Sequence, residues 1–161
     1  MFSEARRERI FGGETGLGQT NSAGLRNEDL TKLSFADAHC DVILTFDVME
    51  HIADYSAAFA ECVRVLKPGG KMLFSVPFDA ALARNQLRAR IGPDGRIEHL
   101  LAPEYHAHPR NPKGSLCFQR FGWEMFEQLR EARFRNVWAL CYYSLDYGYP
   151  GGEQLQFLAE K

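Results

Sequence analysis

Two apolar runs joined by one helix-length segment constrain this fold most. Asp41-Val42-Ile43-Leu44-Thr45-Phe46 is almost continuously apolar and gives way to Asp47, Glu50 and His51. Phe59, Cys62, Val63 and Leu66 then recur at helical spacing, Asp54 stands where an N-cap belongs, and Pro68-Gly69-Gly70 stops the helix. The second run is Lys71-Met72-Leu73-Phe74-Ser75-Val76. Strand, helix, strand in this order predicts a parallel pair, because only parallel strands need such a crossover. The unbroken apolar character of 41–46 predicts a strand covered on both faces. Ligands of open parallel sheets sit beyond the carboxyl ends of the strands, so chemistry is expected near 46–51 and near Pro77-Phe78.

A chain of 161 residues with 45% hydrophobic residues fits one domain with a real core. Its net charge of −2 gives no overall basic field for nucleic acid or an anionic membrane. Cys40, Cys62, Cys117 and Cys141 form no C-x-x-C pair, which argues against a zinc ribbon or redox dithiol and predicts reduced core thiols. No apolar run approaches the roughly 20 residues of a membrane span, and no signal-peptide core follows Arg9, so a cytoplasmic protein is expected.

Residues 1–26 read as irregular, with a short helix over 4–9 and a flexible loop over 12–24. The glycines of that loop do not make a phosphate cradle, since no buried strand precedes them. Residues 79–121 are too long for an ordinary connection and predict an inserted lid, with a hairpin turning at Gly92-Pro93-Asp94-Gly95. Trp123, Phe126, Leu129 and Ala132 mark an amphipathic helix, and 137–143 with 155–159 predict a closing pair of strands. Most of the aromatics Phe78, Phe118, Phe121, Trp123, Tyr142, Tyr143, Tyr147 and Tyr149 read as core residues rather than a cation-binding pocket.

Residues 41–78 resemble the middle of a class I S-adenosylmethionine-dependent methyltransferase of the type 11 sort. In that family an "FDVV" strand runs into a "VLEH"-like turn and then "RVLKPGG", here Asp41 to Phe46, Val48-Met49-Glu50-His51 and Arg64-Val65-Leu66-Lys67-Pro68-Gly69-Gly70. The likeness extends upstream through Asn27-Glu28-Asp29-Leu30-Thr31-Lys32-Leu33-Ser34-Phe35. It also covers Gly12-Gly13-Glu14-Thr15, Ala102-Pro103-Glu104-Tyr105-His106 and Phe121-Gly122-Trp123. It implies an α/β Rossmann-like sheet whose C-terminal half is clear and whose N-terminal half is truncated or degenerate. The family's glycine-rich motif I turn has no counterpart, nor has the acid that ends its second strand.

The resemblance further implies S-adenosyl-L-methionine as cofactor and a small-molecule acceptor, with site residues at matching positions. Asp29 and Leu30 correspond to the adenine contact, a carboxylate suiting an exocyclic amino donor. Phe46 and Asp47 correspond to the strand end beside the sulfonium, where an anionic group is favourable. Phe78 and His99 are expected to line the acceptor side, and His106, with Tyr105, is the candidate base. No metal is expected. The alternative is a divalent ion on Asp47, Glu50 and His51, which share one face if that turn is helical, with His99, His106 or His108 as loose further candidates.

Two other classes compete. A non-catalytic or truncated methyltransferase-like module would act through protein association, a homodimer covering the apolar edge at 42–46. A nucleic-acid methyltransferase would use Arg84, Arg88, Arg90 and Arg96 on phosphates, against the overall charge.

Overall fold

The computed structural model describes residues 9–11, 15–108 and 111–161. In chain order the elements are β1 (Arg9–Phe11), β2 (Leu25–Asn27), β3 (Cys40–Phe46), a 3-10 turn (Met49–His51), α1 (Tyr55–Val65) and β4 (Leu66–Ser75). Then come β5 (Gln86–Leu87), β6 (Ala89–Ile91), β7 (Ile97–His99), β8 (Tyr105–His108), β9 (Asn111–Leu116), β10 (Gln119–Arg120), α2 (Glu124–Glu131), β11 (Asn136–Ser144) and β12 (Tyr149–Glu160). The expected helix at 4–9 lies largely outside the described residues. Arg9 opens a strand instead, β1 pairing in parallel with β2.

The principal sheet has the order β11-β12-β4-β3. β3 and β4 are parallel and linked by α1, while β12 is antiparallel to both of its neighbours. The predicted crossover and closing hairpin are therefore both present. Asp54 caps α1 by accepting from the Ala57 N–H at 3.0 Å. The helix ends sooner than Pro68-Gly69 suggests, because Leu66 is already extended, and β4 begins there. Gly69 takes φ +75°, and a Cβ at Gly70 would stand 2.9 Å from the Lys67 carbonyl and 3.1 Å from that of Asp41.

Strand alternation sorts this sheet into two faces. Met72, Phe74, Phe157 and Ala159 are fully buried on one, against Phe59, Cys62 and Val63 of α1 and Met125 and Leu129 of α2. The other face carries Trp138, Leu158, Leu73 and Leu44 in register, one from each strand. There Val42, Leu44 and Phe46 remain 56%, 63% and 46% exposed. The expectation that 41–46 is covered on both faces is thus corrected: both α-helices lie against the same face, so within 41–46 Ile43 and Thr45 turn toward the core while Val42, Leu44 and Phe46 stay open.

Segment 79–121 contains the predicted hairpin, β6 against β7 around Gly95 at φ +76°. A second hairpin, β8 against β9, follows it. Gln119, fully buried, donates its side-chain amide to the carbonyls of Met49 at 2.8 Å and Ile52 at 3.1 Å, while Phe118 N–H donates to the Glu50 carbonyl at 2.7 Å. These bonds tie the end of the segment to the 3-10 turn. Trp123 precedes α2 and is 46% exposed, its indole N–H donating to the Ala80 carbonyl at 2.9 Å. It is therefore less enclosed than its place on the apolar stripe suggests. Among the described residues no helix is long and apolar enough to cross a membrane.

Candidate active site at the strand ends

β3 delivers Phe46 to its carboxyl end, and the chain then turns sharply at Asp47, whose φ of +53° a short polar side chain tolerates. The Asp47 N–H donates to the Ser75 carbonyl at 3.1 Å, and the Ser75 hydroxyl donates to the Asp47 carboxylate at 2.9 Å. The two parallel strand ends are thereby clamped together. The reversal sends the 3-10 turn back over the sheet edge, where Glu50 is completely buried and His51 partly so.

Glu50 is the unusual group. Neither of its carboxylate oxygens has a hydrogen-bond partner, although Oε1 lies 3.4 Å from Nδ1 of His106 and 3.6 Å from Nε2 of His51. Burial pushes its pKa above the ordinary carboxylate value, assisted by the Asp47 charge and opposed by its own backbone N–H dipole and the two imidazoles. His51 Nδ1 lies 2.8 Å from the Leu116 carbonyl, which can only accept, so Nδ1 donates there and Nε2 is the nitrogen turned toward Glu50. The His106 Nε2 stands 3.1 Å from Cys117 Sγ and 3.3 Å from Glu104, and the two imidazoles meet edge to face at 5.2 Å.

Glu104 holds the outer side of the cluster. It pairs with Arg88 at 3.2 Å and Arg120 at 3.3 Å. Burial alone would raise its pKa, but His106 and the two arginines outweigh this and lower it. Burial pushes the Cys117 thiol up to about 12, with the Glu104 and Glu50 charges acting the same way. A cavity of about 370 Å³ adjoins this cluster, lined by His51, Ile97, Tyr105, Gly114, Ser115, Leu116 and Phe118. Gly114 is required there, since at φ +80° a Cβ would come 2.4 Å from the His106 carbonyl oxygen.

The sequence candidates separate into groups. His106 and Tyr105 come to the cluster and its cavity, His106 half-buried and Tyr105 52% exposed. His99 is exposed on β7, whose Ile97 rather than His99 lines the cavity. Phe78 lies edge-on to Trp123 at 5.2 Å and against Phe157 at 5.0 Å, part of the aromatic core. Asp29 is exposed and its Oδ1 accepts from the Thr31 N–H at 2.8 Å and hydroxyl at 2.7 Å, while Leu30 packs against the core. Of the suggested metal set, Glu50 and His51 adjoin one another, whereas the Asp47 carboxylate is engaged by Ser75. His108 has no described side chain.

Sequence reading missed Cys117, taken for a core thiol, and Glu28. Glu28 is buried and accepts from Ser34 N–H at 2.7 Å and Arg26 Nε at 2.6 Å. The alternation of apolar and polar residues around Cys117 carries no sign that its sulfur faces a histidine. Of the four arginines offered for phosphate contact, Arg88, Arg90 and Arg96 are engaged by Glu104, Glu98 and Asp94.

A family model described as a methyltransferase domain matches residues 10–74. A probable S-adenosylmethionine-dependent methyltransferase of Mycolicibacterium smegmatis is 43% identical over 53 residues, 33% of this chain and 21% of that protein. A ubiquinone biosynthesis O-methyltransferase of Cereibacter sphaeroides is 42% identical over 50 residues, 31% of this chain and 20% of that protein. These matches span about a fifth of the curated relatives' length. In fold, the chain is similar to an S-adenosylmethionine-dependent methyltransferase from Mesorhizobium loti at a TM-score of 0.53 and 19% identity, over 88% of this chain and 72% of that one. The chain is thus similar to S-adenosylmethionine-dependent methyltransferases in sequence over a segment that includes β3, and it has a fold of the same kind.

Proposed function

We propose that this chain forms the acceptor side of an S-adenosylmethionine-dependent methyltransferase that acts on a small molecule. The observation that carries the reading is the cavity of about 370 Å³ beside His51, lined otherwise by residues of segment 79–121, which we read as a lid. The bound cofactor would supply an electrophilic methyl group on a sulfonium centre. The residues present fit its adenine and methyl end: Asp29 is an exposed acceptor, and Phe46 and Asp47 stand at an exposed strand terminus. No glycine-rich turn for its amino-acid end is recognisable in the sequence.

What the chain's own residues contribute is orientation, exclusion of water and a proton acceptor. Tyr105, Leu116 and Phe118 give the cavity apolar walls, and Ser115 a polar contact. His106, oriented by Glu50 and Glu104, is the candidate base for an acceptor carrying an O–H or N–H. A small-molecule acceptor accords with the ubiquinone-pathway role in the name of the C. sphaeroides relative. Four free cysteines, one of them exposed, suit a reducing cytoplasmic setting.

Calorimetry of the chain with S-adenosylmethionine and S-adenosylhomocysteine tests this. Binding of both, weakened in Asp29→Ala, supports the reading; no heat with either ligand overturns it for this chain.

A second reading, self-association through the sheet, is favoured by the open apolar row Trp138, Leu158, Leu73 and Leu44. A homodimer would bury it. Sedimentation that gives a monomer across micromolar to millimolar concentration eliminates it.

A further inference from the structure

The cluster between the 3-10 turn and segment 79–121 has the wrong polarity for a finished hydrogen-bond network. Glu50 is fully buried with two unpartnered oxygens. His51 Nε2 faces it from 3.6 Å, beyond hydrogen-bond distance, while Nδ1 is held by the Leu116 carbonyl at 2.8 Å. No hydrogen bond reaches either Glu50 oxygen inside the protein. Such an arrangement costs free energy unless a cation or a proton lies there. On the far side, Cys117 Sγ points at the His106 ring from 3.1 Å and is itself only 2% exposed.

We propose that Glu50, His51, His106 and Cys117 bind one divalent transition-metal ion of the zinc type. The donor atoms of His51, His106 and Cys117 all lie within 4.8 Å of one another, and Glu50 Oε1 is 3.4 Å and 3.6 Å from the two imidazoles. Metal–ligand bonds of about 2.0–2.3 Å in a tetrahedron place the ligand atoms about 3.3–3.8 Å apart. For His51, His106 and Cys117, whose donor atoms lie within 4.8 Å of one another, side-chain movements of about 1 Å reach that spacing. His106 would ligate through Nδ1, the nitrogen 3.4 Å from Glu50, and its Nε2 would keep the contact with Glu104 at 3.3 Å.

Two further features match a metal site. The Nδ1–H of His51 donates to the Leu116 carbonyl, which fixes the ring and its tautomer as ligating histidines require. Glu104, braced by Arg88 and Arg120, does the same service for His106. A carboxylate, two imidazoles and a thiolate form a donor set suited to zinc, cobalt or nickel rather than to magnesium or calcium. The set also differs from Asp47, Glu50 and His51, since Asp47 is taken by Ser75 and two ligands come from segment 79–121. On binding, the Cys117 thiol releases its proton to solvent and sulfur coordinates as thiolate. The ion would staple residues 106 and 117 to the turn at 50–51 and so stiffen one wall of the cavity. None of this depends on cofactor binding, and with the ion in place His106 serves as a ligand and not as the base.

The test uses the full chain, freed of metal by a chelator and then titrated with Zn²⁺ by calorimetry and with Co²⁺ by absorption. One ion per chain is expected, with a thiolate-to-cobalt charge-transfer band and a rise in the thermal midpoint of the wild-type protein. Cys117→Ser should abolish the band, and both it and His106→Ala should weaken binding by about tenfold or more. Cys141→Ser, at an exposed thiol, should leave band and affinity unchanged. No stoichiometric binding, a thermal midpoint indifferent to zinc, or a band and affinity that survive Cys117→Ser would each overturn the site.

Discussion

Gln119 donates its amide to the main-chain carbonyl of Met49 at 2.8 Å, across seventy positions of sequence, with both residues fully shielded from solvent. This bond and its companion to Ile52 join segment 79–121 to the turn that carries Glu50 and His51. Gln119→Ala removes the side-chain donor to both carbonyls, although that of Met49 keeps the Ile52 N–H at 3.2 Å, and should cost about 1 kcal/mol in urea unfolding. A loss below 0.5 kcal/mol by rough measure would mean that water takes the place of the amide.

Glycines 114 and 95 separate strain from collision. Both have positive φ, but a Cβ on Gly95 meets nothing within 4 Å, whereas one on Gly114 meets the His106 carbonyl oxygen at 2.4 Å. Gly95→Ala should cost about 1 kcal/mol through its backbone conformation alone. Gly114→Ala should cost several times more and displace β8, lowering the thermal midpoint further. Equal midpoints in the two variants would contradict the geometry.

Glu28 and Glu61 should make the fold acid-sensitive. In Glu28, burial acts upward, but the Ser34 and Arg26 bonds prevail and its pKa is lowered; in Glu61 the bond from Arg64 is the largest cause of the same shift. A carboxylate with a lowered folded pKa stabilises fully above its unfolded value, about 4.3, and loses that contribution as pH falls through the folded one. The thermal midpoint should therefore drop on acidification below about pH 4.3, and less steeply in Glu28→Gln.

Thiol labelling should be graded. Cys62 lies fully buried, its pKa pushed up to about 12 by burial first and the Cys40 and Glu61 charges next, while Cys141 is exposed. Iodoacetamide at pH 8, followed by mass spectrometry, should mark Cys141 first and leave Cys62 unmodified until the protein unfolds.

The two faces of the sheet should respond in opposite ways. Phe74→Ala opens the buried face and should cost about 3–5 kcal/mol. Leu44→Lys, on the open face, should leave folding almost unchanged and lower any concentration-dependent association. A large destabilisation by Leu44→Lys would show that this face is covered within the chain.

Much of the fold was legible because its signals are local. Asp54 caps the helix that its position announces, the Gly92–Gly95 turn makes its hairpin, and 41–46 and 71–76 pair in parallel. Misreadings arose where a distant element decides. The apolar run 41–46 could not reveal that both helices cover one face, nor could Trp123 reveal that its indole lies at the rim of the core.

From sequence alone came the strand, helix and strand of 41–76, the side of the sheet where chemistry gathers, and the family likeness, since periodicity, caps and turn residues act over a few positions. Only the tertiary structure brought Glu50 and His51 to His106 and Cys117, more than fifty residues away. That meeting is set by long-range register and by the bonds of Gln119 and Phe118 to the turn, which no local pattern encodes. Burial then leaves the Glu50 carboxylate without a hydrogen-bond donor, a property of the folded environment and not of the residue.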